Sequence, residues 1–224
     1  LNLSVHPGQR VAIVGPTGAG KTTIVNLLMR FYDVDGGKIL LDGQDIKSLS
    51  RDEVRRNFGM VLQDSWLFEG TIRENICYGN EDTSEETMIE ACKAANVHHF
   101  IMSLPGGYNM VLNEEANISQ GQRQLLSFAR TIIHKPSVMI LDEATANIDT
   151  ETELLIQDSL EKMRSVGTML MVAHRLSTIQ HADNIIVLSH GKILEQGTHQ
   201  ELLAKHGRYY QLYTLQYHKE QMEE

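Results

Sequence analysis

Apolar and polar positions follow one another along the chain in patterns that are typical of strands and helices. Four apolar runs predict strands, and the last two are continuous enough for the centre of a parallel sheet: Val11–Val14, Phe58–Leu62, Val138–Leu141 and Met169–Ala173. Between the last two runs, Ile156, Leu160 and Met163 recur at helical spacing. Buried strands separated by a helix predict an α/β fold.

Shorter β elements are predicted around two turn signals and at the beginning of the sequence. Asp42-Gly43 and His190-Gly191 each separate two apolar stretches, as in antiparallel hairpins. Leu1, Leu3 and Val5 alternate with polar residues, which is typical of a half-buried strand. Because a strand needs a neighbour, we expect a longer protein to supply one.

The middle of the chain has a different, mainly helical pattern. Thr83 and Glu86 have the spacing of a capping box, and a second helix runs from Leu125 to Ile133 and ends before Pro136. We therefore predict an α/β core formed by residues 1–63 and 135–224. A helical subdomain, residues 64–134, is inserted into it.

Charge and composition narrow the classes of function. The net charge of −9 argues against a broad nucleic-acid surface, which would be basic, so no nucleic-acid partner is expected. No apolar run approaches the roughly 18 residues of a membrane span. Cys77 and Cys92 lack metal-ligand partners and are expected to be reduced thiols, and His98-His99 has no metal-ligand spacing.

A glycine-rich loop lies between the first predicted strand and an amphipathic helix. It fits the phosphate-binding pattern, with these candidate nucleotide-binding residues: Gly15, Pro16, Thr17, Gly18, Ala19, Gly20, Lys21, Thr22 and Thr23. Backbone N–H groups and the helix N-terminus would surround phosphate oxygens. Lys21 would contact the terminal phosphates, and Thr22 would bind Mg²⁺. The alternative is a glycine-rich turn that only begins a helix.

Polar residues follow two of the predicted central strands. Asp142-Glu143 comes after one apolar run and His174 after the next. Carboxyl ends of parallel strands face the crevice where α/β folds bind ligands. Asp142 fits a Mg²⁺ ligand, Glu143 fits the base that polarises an attacking water, and His174 could reach a γ-phosphate.

Together these residues resemble the nucleotide-binding domain of an ABC transporter. The matching motifs are Walker A (Gly15–Thr22), the Q-loop residue Gln63, the signature (Ser119, Gln120, Gly121 and Gln122), Walker B (Val138–Glu143), the D-loop residue Asp149 and the H-loop residue His174. The resemblance implies a P-loop NTPase (RecA-like) core that binds ATP and Mg²⁺. It also implies that Gln63 senses the γ-phosphate and Mg²⁺, and that the signature serves ATP held by a second domain.

A further segment resembles exporter-type ABC proteins. In them, the stretch that corresponds to Trp66–Ile76 meets transmembrane domains, which would place this chain at the cytoplasmic face of the plasma membrane. Trp66, Leu67 and Phe68 are adjacent large apolar residues, so at least one should be exposed as part of a docking surface. The alternative is ordinary packing within the helical subdomain.

Two motifs depart from the family pattern. The signature reads Ile118-Ser119-Gln120-Gly121-Gln122 where Leu-Ser-Gly-Gly-Gln is usual, and the D-loop reads Ala146-Asn147-Ile148-Asp149 where Ser-Ala-Leu-Asp is usual. Glutamine adds bulk where glycine lets the backbone approach a phosphate. This mixture is similar to the intact-Walker half of heterodimeric bacterial multidrug exporters, whose partner is a different chain with a standard signature. The family's adenine-stacking aromatic would lie upstream of Leu1.

The expected function is that of an ATP-hydrolysing motor of an exporter for a small hydrophobic or multidrug-type substrate. Lys21, Gln63, Glu143 and His174 are the expected catalytic residues, and Thr22, Gln63 and Asp142 the expected metal ligands. Two alternatives remain open. One is a nucleotide-gated module with little hydrolysis, and the other is a soluble ABC ATPase outside transport.

Overall fold

The computed structural model describes residues 1–61, 66–142 and 148–223. The strands are β1 (Arg10–Val14), β2 (Leu40–Leu41), β3 (Gln44–Asp45), β4 (Phe58–Val61), β5 (Gly70–Thr71), β6 (Val111–Leu112), β7 (Val138–Asp142), β8 (Thr168–Val172), β9 (Asn184–Ser189) and β10 (Lys192–Gly197). The helices are α1 (Lys21–Leu28), α2 (Arg51–Arg56), α3 (Ile72–Ile76), α4 (Glu85–Ala94), α5 (His98–Ser103), α6 (Gln120–His134), α7 (Thr150–Met163), α8 (Leu176–Ile179), α9 (His199–Ala204) and α10 (Arg208–Glu223).

Within these residues the main sheet has the strand order β10-β9-β1-β8-β7-β4. Its strands are parallel except β10, which runs antiparallel to β9. Two short antiparallel ladders, β2–β3 and β5–β6, lie apart from it. A mainly parallel sheet, helices and a small antiparallel portion confirm the predicted fold class.

The apolar runs form the core because both faces of the central strands are covered. Val11, Ala12 and Ile13 of β1 have no exposed surface, as expected for a parallel sheet between layers of helices. On α7 the predicted residues Ile156 and Leu160 are buried against the core. The boundaries predicted for the helical subdomain, at residues 64 and 134, stay a prediction.

The beginning of the chain differs from the prediction. Residues 1–9 contain no strand, although Leu3 packs on the apolar cluster that includes Ile13. Alternation of apolar and polar residues decides which side chains face inward, but a strand also requires a neighbour to bond its backbone. Leu1 and Val5 are exposed.

The predicted capping box at Thr83 and Glu86 is wrong by one residue. Ser84 caps α4, and its Oγ accepts a hydrogen bond from the N–H of Thr87 at 3.2 Å. The Thr83 hydroxyl instead donates to the carbonyl of Asn80 at 2.5 Å. Neighbouring hydroxyl residues compete for the cap, and the preceding turn decides between them.

Several smaller expectations can be checked against the described residues. Cys77 and Cys92 are buried free thiols, and burial raises the pKa of Cys92 to about 12. In α5, His98 Nδ1 lies 2.7 Å from the hydroxyl of Tyr108, which gives this histidine a structural role. Each helix in the described ranges is too short or too polar to cross a lipid bilayer.

Candidate functional site

The glycine loop joins the end of β1 to the first turn of α1. Gly20 is the N-cap residue of α1 and has a φ of 107°. Residues with a Cβ are strained at this angle, so the position favours glycine. Gly20 also has no side chain to bond the first N–H groups of α1, which leaves them available to an anion.

The turn between β9 and β10 contacts this loop and is hydrogen-bonded to it. The N–H of Gly191 donates to the carbonyl of Ala19 at 2.9 Å. A Cβ on Gly15 would lie only 2.5 Å from the carbonyl oxygen of Leu188, so any other residue would push the loop away from β9. The hairpin was predicted from His190-Gly191, but its contact with the loop was not.

The order of the central strands brings Asp142 and His174 to the same edge of the sheet. Val172 of β8 pairs with Ile13 of β1 on one side and with Asp142 of β7 on the other. The N–H of Ala173 then donates to the Ile13 carbonyl at 3.3 Å. His174 is therefore the next residue beyond the sheet, close to the beginning of the glycine loop.

Lys21, Asp142 and His174 are near enough to affect one another's ionisation. Burial lowers the pKa of Lys21 and raises the pKa of Asp142, and the attraction between the two opposes both shifts. Burial also lowers the pKa of His174; Lys21 adds to this effect, and Asp142 opposes it. The site thus joins a lysine, a half-buried carboxyl group and an imidazole that burial favours as neutral. The Lys21 ammonium donates to the carbonyl of Gly15.

The donor set beside the loop fits a hard cation. Thr22 in the first turn of α1 is exposed, and burial raises the pKa of the half-buried Asp142, although His174 and Lys21 oppose this shift. Hydroxyl and carboxylate oxygens are suitable Mg²⁺ ligands. Within the described ranges, no group of three or more His, Cys, Asp or Glu side chains is arranged to hold a metal ion. Mg²⁺ usually binds one or two carboxylates and takes its other ligands from water and substrate phosphates.

Two predicted residues fall outside the described ranges. They are Gln63, which follows β4 and was predicted to sense γ-phosphate, and Glu143, which follows β7 and was predicted to act as the base. Their roles remain predictions from the motifs.

The signature residues form the start of the long helix α6. Ser119 is the N-cap, and its hydroxyl oxygen accepts from the N–H of Gln122 at 3.2 Å. The Gln122 side chain accepts in return from the N–H of Ser119 at 3.0 Å. Gln120 is the first residue of α6 and is half-buried. The N-terminus of a 15-residue helix is suited to an anion.

Gly121 connects this helix to the beginning of α7. A Cβ on Gly121 would lie 2.4 Å from Cγ2 of Thr152 and 3.2 Å from Cγ2 of Ile148. Asp149, the predicted D-loop residue, caps α7 by accepting from the N–H of Thr152 at 2.8 Å and from its hydroxyl at 2.7 Å. The signature and the D-loop residue are therefore neighbours within one chain.

Aromatic residues in and just after the segment from Trp66 to Ile76 lie at the surface. Trp66 is 56% exposed and Tyr78 is 54% exposed, and their ring centroids are 5.8 Å apart. Phe68 lies against both rings. The prediction that at least one apolar residue of this segment is exposed is confirmed.

Sequence reasoning missed the residues that hold this segment. Asn75 is completely buried, and its side chain bonds both the N–H and the carbonyl of Phe68, at 2.9 and 3.0 Å. Arg130 of α6 donates to the carbonyls of Asn75 and Trp66, at 2.8 and 3.0 Å. The only sequence signal was a polar residue on the inward face of each helix.

Comparisons with known proteins found similar chains. A family model described as "ABC transporter" matches residues 1–146. The chain is 52% identical over 213 residues to a "Fatty acid ABC transporter ATP-binding/permease protein" from Mycobacterium bovis, covering 95% of this chain and 34% of the relative. It is 48% identical over 225 residues to an "ATP-dependent lipid A-core flippase" from Syntrophus aciditrophicus, covering 100% of this chain and 37% of the relative.

A solved structure is similar over nearly the whole chain. The structure of a bacterial Atm1-family ABC exporter with ATP bound matches with a TM-score of 0.87 and 44% sequence identity. The match covers 95% of this chain and 37% of that chain. The chain thus spans about a third of the length of the relatives that it matches.

Proposed function

This chain belongs to the ABC transporter family, and we propose that it is the ATP-hydrolysing motor domain of an exporter. One observation carries the proposal. Strand pairing brings Asp142 and the residue before His174 to the edge of the sheet where the glycine loop begins, and Lys21 follows that loop at the start of α1. ATP-binding domains of this family hydrolyse ATP to power transport.

Binding of the triphosphate begins with the loop and α1. The N–H groups at the start of α1 and the loop backbone hold phosphate oxygens, and the helix dipole favours their negative charge. Lys21 exchanges the carbonyl of Gly15 for a terminal phosphate oxygen. Thr22 and Asp142 would hold Mg²⁺, together with Gln63 as the motif implies. When bound, Mg²⁺ neutralises charge that develops on the phosphates.

Hydrolysis requires an oriented water and a group that contacts the γ-phosphate. Glu143 polarises the water, as its place after β7 in the motif implies. His174 is half-buried, and burial favours its neutral imidazole, which can donate one N–H to a γ-phosphate oxygen. Glu143 thus acts on the attacking water, and His174 acts on the γ-phosphate that the water attacks.

The first prediction tests the base. Glu143→Gln keeps the size of the side chain but removes the carboxylate, so the assembled transporter should still bind ATP while its turnover falls about 100-fold or more. Steady-state hydrolysis and equilibrium binding of ATP, measured in parallel, check this. If most ATP turnover remains in the Glu143→Gln variant, the assignment of Glu143 is wrong.

The functional unit is a head-to-tail pair of such domains. The N-terminus of α6 is capped within its own chain by Ser119 and Gln122, but the helix dipole still favours an anion there, which a ligand from another domain can supply. ATP on the loop of one domain then completes its site with the signature of the other. Binding of ATP brings the two domains together, and hydrolysis of the ATP weakens the interface between them.

The partner domain is a different chain with a standard signature. Gln120 places a side chain at the first position of α6, where the usual glycine would let a phosphate approach the backbone. Lys21, Glu143 and His174 would use the partner's signature. Ser119–Gln122 would complete a second site that hydrolyses ATP poorly.

Transmembrane domains are the other partner. The exposed Trp66 and Tyr78 lie against Phe68, and Arg130 and Asn75 bond the backbone of Trp66 and Phe68, which gives an aromatic surface suited to docking. Docking to transmembrane domains would put the chain at the cytoplasmic face of the plasma membrane. The transported substrate is hydrophobic or of the multidrug type, which agrees with relatives named for a fatty acid and for lipid A-core.

A further inference from the structure

The segment that follows His174 is held by a neighbouring helix, α7. The hydroxyl of Ser177 donates to Oε1 of Glu153 at 2.9 Å. Nη1 of Arg175 lies 3.5 Å from the same oxygen. One turn later on α7, the side-chain amide of Gln157 donates to the Thr178 hydroxyl at 3.0 Å. Polar contacts from two successive turns of α7 therefore attach this segment to the helix.

The ion pair between Glu153 and Arg175 is shielded from solvent on one side. The Arg175 side chain is 14% exposed, and that of Glu153 is 31% exposed. A half-buried charge pair is screened less than a surface pair, and a charge left without its partner there is costly. Glu153 therefore restricts where Arg175 can lie.

His174 lies between two fixed points. Before it, the N–H of Ala173 is bonded to the Ile13 carbonyl in the sheet. After it, Arg175 is both the N-cap residue of α8 and the partner of Glu153. A shift of Arg175 would change the backbone direction at His174 and move its imidazole relative to the glycine loop.

We propose that Glu153 is a positioning residue for ATP hydrolysis, which orients His174 through Arg175 and Ser177. The inference rests on the proposed role of His174 at the γ-phosphate. The preceding residue, Thr152, packs on Gly121 of the signature. The first turn of α7 thus contacts the signature with one residue and holds the His174 segment with the next.

The test compares Glu153→Gln with Glu151→Gln in the assembled transporter. Glu151 is in the same first turn of α7 and is exposed, so it controls for the loss of one negative charge near the helix N-terminus. Glu153→Gln should lower kcat roughly tenfold and leave the KM for ATP unchanged, because the loop binds the ground state and His174 acts in the transition state. Glu151→Gln should change neither value.

A charge swap tests the ion pair between Glu153 and Arg175 directly. Glu153→Arg combined with Arg175→Glu restores the attraction, so the double variant should exceed either single variant in kcat. A Glu153→Gln variant with the kcat of Glu151→Gln overturns the inference. A loss of kcat that comes with a raised KM and a lower melting temperature also overturns it, because that pattern indicates general loosening. If the unaltered transporter hydrolyses no ATP, the proposed function itself is wrong.

Discussion

At the scale of single residues, Gly121 shows how a missing side chain can join two motifs. Its backbone is helical, so conformation does not demand glycine there. Glycine is required because Thr152 of α7 and the nearby Ile148 occupy the space that a Cβ would need. The family signature contains glycine at this position, and in this chain the packing against α7 gives an additional reason for it.

Replacing Gly121 should therefore damage packing. Gly121→Ala is expected to lower the free energy of unfolding by about 1–3 kcal/mol, because the new methyl group overlaps Thr152. Urea denaturation measures the change. Gly36→Ala is the matched control, since a Cβ at Gly36 meets nothing within 4 Å.

Adding Thr152→Ser to Gly121→Ala removes the overlapping methyl group and keeps the hydroxyl that donates to Asp149. The double variant should recover much of the lost stability. A Gly121→Ala variant as stable as the Gly36→Ala control would contradict the packing argument.

Asp149 allows a prediction about pH. Hydrogen bonds from the N–H and hydroxyl of Thr152 lower the pKa of Asp149. A carboxyl group whose pKa is lower in the folded protein stabilises the fold above its unfolded pKa of about 3.9, and this contribution is lost as pH falls through the folded pKa. In the Asp149→Asn variant, the asparagine side chain would still cap α7 but would not titrate.

The difference in unfolding free energy between the unaltered chain and Asp149→Asn should thus shrink between about pH 5 and about pH 3. Urea titrations of both proteins across this range provide the measurement. A difference that stays constant with pH would mean that the charge on Asp149 adds nothing to the cap.

At the scale of elements, α6 has different tasks at its two ends. Its first turn carries the signature, while Arg130, near its last turn, supports the aromatic segment around Trp66. The same rigid helix thus links the surface proposed to meet the membrane domains with the surface proposed to meet ATP. Fifteen helical residues transmit displacement between these surfaces better than a loop would.

The support by Arg130 can be tested with the chain's single tryptophan, Trp66. Arg130→Lys replaces a planar fork of donors with one compact ammonium group on a flexible stem, which holds the carbonyls of Asn75 and Trp66 less firmly. We expect lower fluorescence anisotropy of Trp66, because its backbone becomes more mobile, with unchanged far-UV circular dichroism.

Arg55→Lys is the control, since the Arg55 guanidinium lies 5.0 Å from the ring of Phe31, much as that of Arg130 lies 5.8 Å from the ring of Trp66. It should leave the Trp66 signal unchanged. Equal anisotropy in the Arg130→Lys variant and the unaltered chain would show that Arg130 does not hold the segment.

At the scale of the whole molecule, one chain contains the parts of two different half-sites. The glycine loop, Asp142 and His174 lie at the carboxyl edge of the sheet, whereas Ser119 and Gln120 lie at the start of α6. In the proposed pair each half-site is completed by the other chain. The side chain of Gln120 then matters only when this chain supplies the signature.

A homodimer of this chain should hydrolyse ATP slowly, and Gln120→Gly should raise the rate roughly tenfold by letting phosphate approach the backbone. Gln120→Ala, which keeps a Cβ, should give a smaller increase. The rate of ATP hydrolysis, measured at several protein concentrations, separates a change in the catalytic rate from a change in dimer formation. Fast hydrolysis by the unaltered homodimer would show that Gln120 is harmless.

Much of the site was predictable because its signals are local. Lys21 and Thr22 were found because a strand, a glycine loop and a helix follow one another within a few residues. Asp142 and His174 were found because polar residues at the ends of buried parallel strands must meet at one edge. Glu153, Asn75 and Arg130 carried no such signal, since they look like ordinary polar residues of amphipathic helices.

The sequence by itself determined the order and type of the main elements, the class of fold and the residues suited to phosphate and Mg²⁺, because these depend on periodicity and spacing along the chain. Only the tertiary structure decided which strands are neighbours, so that β8, which ends just before His174, lies between Asp142 of β7 and the glycine loop after β1. It also decided that Gly191 supports the glycine loop and that the start of α7 holds Gly121 and Arg175. Such contacts join residues that are far apart in sequence, and they exist only once the whole core has packed.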